Sequence, residues 1–435
     1  MAYVVACAAF TALVPVRSGA QPPPPGVDAA LDAARETRGA TLDISVLTFA
    51  NGEVLWERFG HNALVVSDAA TGQRLAYNWG VFDFDQPNFL TRFLTGDTRY
   101  WLAVYPADLM YADYVAADRS ARLQSLDLTN VQKAALSEFV AWQALEENRY
   151  YRYDYYLDNC STRVRDAVDR VLGGVVATSL SNVPERPTTW REQTALVTDG
   201  DWPAFAGIHV ALGRNADKPL TRWHEGFMPG LLADHLATVQ VPTGDGNVRP
   251  LVRRDTVLFT SVRAPLPERA PFRGFAALVL GALLGGLVFA LGLWRAKGSR
   301  AALIILRTIA TGWYLIGGLL GTALLLAGTV TKHAPYMGSN GSLFQVHPLL
   351  LVLACLAPFA AGTSRAARIF APLALLVAAL SLLGFLLQLT LLAQDSGLVV
   401  AVTVPMHVSL AGVLALGMRP PSTMPPQPAA MAAAA

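Results

Sequence analysis

The chain has 435 residues, a formal net charge of +2 and 53% hydrophobic residues, which is long for one soluble domain. The near-neutral charge argues against a nucleic-acid partner. The part up to about Ala270 carries nearly all the acidic residues and most of the aromatics, and the remainder is Leu, Ala, Gly and Val with sparse charge, so a soluble part precedes a membrane-type part.

Residues 1–20 read as a signal peptide. The apolar run Ala2–Val16 is too short to span comfortably, and Ser18-Gly19-Ala20 supplies small residues for cleavage. An uncleaved anchor is the alternative. Residues 21–40, opening with QPPPP, read as a Pro-rich linker. Residues 41–270 form the soluble domain. Thr41–Phe49 alternates like a strand, Ala63–Ser67 and Arg74–Trp79 read as a hairpin about DAATGQ, and Asn130–Leu145 reads as a helix capped by Thr129 or Asn130. If the hairpin closes symmetrically, His61 falls opposite Gly80, and Asn78 lies diagonally from it on the same face. Trp190–Val210 and Gly213–Leu232 read as irregular, and His209, His224 and His235 within and just after them share no metal-like spacing.

Between these segments lies RYYRYDYYLDNCSTRVRDAVDRVLGG, residues 149–174. Val164, Ala167, Val168, Val171 and Leu172 recur at the spacing of one helix face, and Gly173-Gly174 stops the pattern. Cys160 then sits in the first helical turn, where free N–H groups and the helix dipole favour a thiolate. The other cysteines, Cys7 and Cys355, lie in apolar segments, so Cys160 has no disulfide partner in the soluble domain and cannot build a metal cluster alone. Its bland reading is a buried small hydrophobe. The tyrosines Tyr150–Tyr156 read either as a lipid-facing rim with wet hydroxyls or as core aromatics beside the helix.

Residues 271–418 form an α-helical membrane domain of about five spans, at 275–294, 308–330, 346–361, 369–392 and 398–417; the third, with Pro348 and Pro358, is the shortest. Arg295, Lys297, Arg300 and Arg307 flank the first gap, Arg365 and Arg368 fill the third, and Arg419 follows the last span. Positive charge stays inside, so residues 21–270 and the loop Thr331–Gln345 lie on the outer side. Residues 419–435 read as a disordered cytoplasmic tail.

A cysteine nucleophile needs a base and an orienter for that base. His61 precedes a strand and offers the base; Asn78 could hold the imidazole, with Asp83 as the alternative. N–H groups at the helix start could hold an oxyanion. The order His before Cys reverses papain and is that of circularly permuted papain-like folds. The fold class expected is therefore α+β, a permuted papain-like outer domain followed by membrane helices. An unpaired thiol outside the cytoplasm is at risk of oxidation and needs a reason.

The stretches FGHNALVV, YNWGVFDFDQPNFLTRFLTGDTRYWL and YYRYDYYLDNCSTRVRDAVD, in that order, resemble the N-terminal periplasmic domain of the Lnb family of bacterial lipoprotein N-acyltransferases. LGRNADKPLTRWHEGFMPGLL resembles the same domain, and TKHAPYMGSNGSLFQVHPLLL resembles a loop between two of the family's spans. The resemblance covers most of residues 41–265 and part of the membrane region. The Asn-Cys pair after a His is also similar to lecithin:retinol acyltransferase-like enzymes. The resemblance implies His61 as base and Cys160 as the residue that takes an acyl group as a thioester. It implies a phospholipid or lipoprotein acyl donor and, as acceptor, the N-terminal amine of a diacylglyceryl lipoprotein, at the inner membrane with the catalytic domain in the periplasm. No cofactor and no metal are expected. Asn159, Tyr155 and Tyr156 beside the nucleophile, and His333 and Asn340 on the outer loop, are candidate substrate-binding residues; His347 and His407 lie at or within spans. Two other readings stay open: a cysteine hydrolase acting on cell-wall peptides, and a non-enzymatic membrane sensor or assembly factor.

Overall fold

The computed structural model describes residues 27–243, 245–360, 364–390 and 393–416. The signal peptide and the C-terminal tail lie outside the described residues. In chain order the N-terminal domain contains α1 (Val27–Gly39), β1 (Leu42–Phe49), β2 (His61–Asp68), β3 (Gln73–Val81), α2 (Phe89–Thr95), β4 (Arg99–Pro106), α3 (Ala107–Ala116), β5 (Ala121–Leu126), α4 (Asn130–Gln143), β6 (Tyr150–Arg152) and α5 (Cys160–Val171). It continues with α6 (Val175–Ser179), α7 (Trp190–Thr198), α8 (Trp202–Ala211), α9 (Arg222–Glu225), α10 (Pro229–Leu236), β7 (Gln240–Pro242), β8 (Val248–Pro250) and β9 (Val252–Phe259).

Seven strands form one antiparallel sheet in the order β6-β4-β3-β2-β1-β5-β9. Central strand β1 is buried along nearly its whole length, because both faces of the sheet are covered. Alternate residues serve the two faces. Ile44, Val46, Leu64, Val66 and Trp79 pack with Leu136 and Val140 of α4, Val164 and Val168 of α5, and Leu232 and Leu236 of α10. Leu47, Phe49, Ala63, Val65 and Ala76 pack with Ala107 and Met110 of α3. Val164 and Val168 are fully buried, each contributing on the order of 2 kcal/mol of transfer free energy.

Two sequence expectations are corrected. The stretch 27–39 is not linker: α1 lies against α4, where Arg35 Nε donates to Glu138 Oε2 at 3.0 Å. The region from Trp190 to Leu236 is largely helical rather than irregular. Its helices are short and capped by single side chains, Thr189 on α7, Asp201 on α8 and Thr221 on α9; such signals are local and leave little apolar periodicity to read.

Among the described residues, five segments are long and apolar enough to cross a membrane: Gly274–Ala296, Arg300–Val330, Gly341–Phe359, Arg365–Leu387 and Gly397–Leu414. They contain α11 (Gly274–Ala296), α12 (Arg300–Val330), α14 (Leu349–Leu356), α15 (Arg365–Leu387) and α16 (Gly397–Leu410), with the short α13 (Ala334–Met337) after α12. The third is broken, as Pro348 and Pro358 dictate. α11 meets α16 through Gly281 and Gly285. A Cβ on Gly281 would stand 2.0 Å from Ala401 O and one on Gly285 would stand 2.9 Å from Pro405 Cβ, the small-residue contact that lets membrane helices approach closely.

The N-terminal domain does not swing on a linker. Gly213 N donates to Tyr336 O at 2.7 Å, Asn340 Nδ2 donates to Val210 O and Ala211 O at 3.0 and 2.9 Å, and Tyr336 Oη donates to Asp154 Oδ1 at 2.6 Å. Gln394 Nε2 reaches Leu212 O at 3.2 Å. Backbone and buried side-chain bonds of this kind form a fixed seam between the domain and the membrane helices.

Candidate active site

The site is assembled at one end of the sheet, where the start of β2, the end of β3 and the start of α5 converge. Asn159 caps α5: its Oδ1 accepts from the N–H groups of Ser161 and Thr162, both at 2.9 Å. Its Nδ2 donates to Tyr155 O and Phe227 O at 3.0 and 2.9 Å. All the polar capacity of this amide is used inside the fold, so Asn159 positions Cys160 and is not free to bind substrate. Cys160 is the first residue of the helix and is 7% exposed.

His61 opens β2. The β2–β3 pairing runs from Asp68 with Gln73 to Leu64 with Tyr77, and continuing that register sets His61 level with Gly80. Asn78, diagonal to it, brings Oδ1 to 2.5 Å from His61 Nε2. A carboxamide oxygen accepts, so Nε2 carries the hydrogen and the lone pair lies on Nδ1. Asp83 is not the orienter; it sits exposed in a turn and accepts the N–H of Asp85.

Three observations tie His61 to Cys160. Gly80 stands where a Cβ would be 3.5 Å from Cys160 Cβ. Asn62, next to His61, donates from Nδ2 to Ser161 Oγ, next to Cys160, at 3.0 Å. The backbone N–H of Asn62 acts directly on the Cys160 thiol. Ser161 Oγ in turn donates to Gly226 O at 2.6 Å. The Gly226–Pro229 segment thus props the nucleophile from behind, and Asn62 and Ser161 are wholly buried.

The electrostatics define the resting state. Burial lowers the His61 imidazole to about 4, against the hydrogen bond to Asn78, and the Arg119 charge lowers it further. Burial raises the Cys160 thiol, while the N–H groups of Asn62 and Ser161 and the charge of Arg119 oppose that rise. Near neutral pH the pair is a thiol beside a neutral imidazole, and the proton moves only when a reaction draws it. Arg119 is itself buried, donates from Nε to Ala50 O at 2.8 Å and lies over Tyr114 at 4.5 Å. Tyr114 stacks on His61 at 5.8 Å between ring centroids.

The remaining candidates fall elsewhere. Tyr156 is a core residue, 4% exposed, with its hydroxyl on Thr194 Oγ1 at 2.9 Å. Tyr155 is half-buried and stacks on His333 at 5.9 Å. None of the five tyrosines from Tyr150 to Tyr156 is exposed, so the run is packed aromatic structure, not a wet rim. His333 faces Phe93 O from Nε2 at 3.0 Å, and Asn340 is occupied by the seam. Both belong to the joint between the domain and the membrane helices rather than to the Cys160 site. Residues that sequence reasoning missed are Arg119, Tyr114, Asn62 and Ser161. Their roles depend on contacts distant along the chain, and nothing in their local pattern marks them.

Fold and site together define a mixed α/β domain with a single helix-start cysteine, fixed to a multi-pass membrane domain. Residues 31–195 match the family model described as the Lnb N-terminal periplasmic domain. Over those residues the chain carries a domain of the Lnb N-terminal periplasmic type. No curated protein and no solved structure matches the chain.

Proposed function

We propose that the protein is a cysteine-dependent lipoprotein N-acyltransferase of the bacterial inner membrane, built on a permuted papain-like domain. The observation that carries the reading is the His61–Asn78 hydrogen bond set beside Cys160 at a helix start. His61 Nδ1 takes the thiol proton as the sulfur attacks an acyl-ester carbonyl of a membrane lipid. The lipid alkoxide leaves with a proton returned by His61, and the acyl group stays on Cys160 as a thioester. The α-amine of a diacylglyceryl lipoprotein's N-terminal cysteine then attacks the thioester. An amide forms, and the thiol is restored. N–H groups at the start of α5 offer donors for the oxyanion in both steps.

The membrane helices favour lipid substrates over wall peptides, because both the donor and the acceptor lie in the leaflet to which the seam holds the domain. The clusters of Arg and Lys at the other ends of the helices support the periplasmic orientation. The test is the lipoprotein N-terminus in a strain carrying Cys160→Ala. Mass spectrometry finds free N-terminal amines if the reading holds; unchanged N-acylation in that strain refutes it.

A further inference from the structure

Helix α2 carries an apolar face that nothing among the described residues covers. Leu90 and Leu94 are 66% and 61% exposed, and Phe93 is exposed beside them. Exposed Trp56 and Phe84 extend the surface, with ring centroids 5.4 Å apart, and Phe89 joins Phe84 to α2 at 5.1 Å. Contiguous exposed apolar surface of this kind marks an interaction site.

The position of α2 identifies the partner. Its last residue, Thr95, accepts through its carbonyl from Lys332 N at 2.8 Å, and Phe93 O faces His333 Nε2 at 3.0 Å. Those contacts fix α2 beside the end of membrane helix α12, whose last residue, Val330, is 74% exposed, with Leu326 exposed a turn earlier. The apolar face of α2 therefore continues the lipid-facing surface of a spanning helix. Exposed Lys332 stands at the junction, where a cation meets lipid phosphates. Asp83 and Asp85 flank Phe84 on the rim.

From this face a row of rings leads inward. Phe84 meets Phe82 at 4.9 Å, Phe82 stacks on Tyr100 at 4.9 Å, and Tyr100 stacks on Tyr153 at 4.3 Å. Tyr153 and Cys160 then face each other across Gly80, 3.7 and 3.5 Å from where its Cβ would be. Gly80 has φ +95° and lies at an irregularity in the β3–β4 register. With no side chain at Gly80, Tyr153 and Cys160 both pack close to this one backbone position.

We infer that α2, with Trp56 and Phe84, is seated in the outer leaflet of the membrane, and that the acyl chain of the donor lipid reaches Cys160 along the Phe84–Phe82–Tyr100–Tyr153 row. The second half of this inference rests on the acyl-transfer reading above; the membrane seat does not.

The seat is tested in full-length protein in phosphatidylcholine vesicles, on a Cys7→Ser, Cys160→Ala, Cys355→Ser background. A fluorophore is attached at Leu90→Cys or Leu94→Cys, with exposed Leu109→Cys of α3 as the control. Doxyl-labelled lipid quenches the α2 labels and spares the control if α2 is seated. Equal, water-like emission at all three positions overturns the proposal, whether a protein partner or the residues before Val27 cover the face instead. The route is tested with Leu90→Glu/Leu94→Glu in the wild-type background by comparing Cys160 acylation from vesicle lipid with that from a water-soluble short-chain acyl ester. The ratio of the two rates falls on the order of tenfold, as expected when two leucines lose their lipid contact; an unchanged ratio overturns the route. Wild-type protein acylated by neither donor refutes the acyl-transfer reading and the route together, and quenching still decides the membrane seat.

Discussion

At the scale of single residues, the proposed reaction turns on a proton passed from Cys160 to His61. His61→Ala removes the base and should lower acyl transfer by about 10²- to 10⁴-fold, measured as the rate of thioester formation. Asn78→Ala should cost less, because the imidazole remains but loses the partner that fixes its tautomer. The depressed imidazole sets the pH dependence. A base works only when neutral, and burial holds His61 at about 4, so the rate should persist below pH 6.5 and fall only towards about pH 4. An acid limb centred near the ordinary imidazole value of 6.5 contradicts this environment. Linkage has the same sign: unfolded His61 binds a proton more readily than folded His61, so stability is full above about 6.5 and declines as pH drops towards 4. The placement of His61 beside Asn78 and of Cys160 at a helix start was legible in the sequence, from a symmetric hairpin and a helix pattern. Arg119 and Asn62 were not, since a buried cation and a buried amide are recognisable only by what they touch.

At the scale of elements, α5 and its cap carry the site. Asn159 satisfies two helix N–H groups and two carbonyls at once. Asn159→Ala should cost about 0.5–2 kcal/mol for the cap, with a further loss for the carbonyls left without donors. Thermal unfolding measures the effect, and an unchanged midpoint contradicts the capping role. The start of α5 was visible beforehand because apolar periodicity and a closing Gly-Gly are local signals. The tyrosine run was ambiguous for the converse reason. Its packing is decided by α7, the Gly226–Pro229 segment and the outer loop of the membrane domain, which composition cannot show. Thr194 and Tyr336, which hold Tyr156 in the core, lie far along the chain.

At the scale of the whole molecule, the sequence exposes five spans and a soluble domain but not the seam that joins them. Backbone-to-backbone contacts such as Gly213 to Tyr336 leave no trace in residue type except the glycine itself. A Cβ on Gly213 would stand 2.1 Å from Gly338 O, so Gly213→Ala should strain the seam by about 1–3 kcal/mol without touching Cys160. The expected result is a lower unfolding midpoint and faster proteolysis between the domains; unaltered stability means the seam yields easily. Under the proposed function, the seam would hold Cys160 at a set position relative to the spanning helices. The central claim is that Cys160 carries the acyl group, and the most direct measurement is the intact mass of the purified protein after incubation with phospholipid. The account predicts an adduct of one acyl chain that hydroxylamine removes and that is absent in Cys160→Ala; no adduct on the wild-type protein, or an equal one on Cys160→Ala, contradicts it.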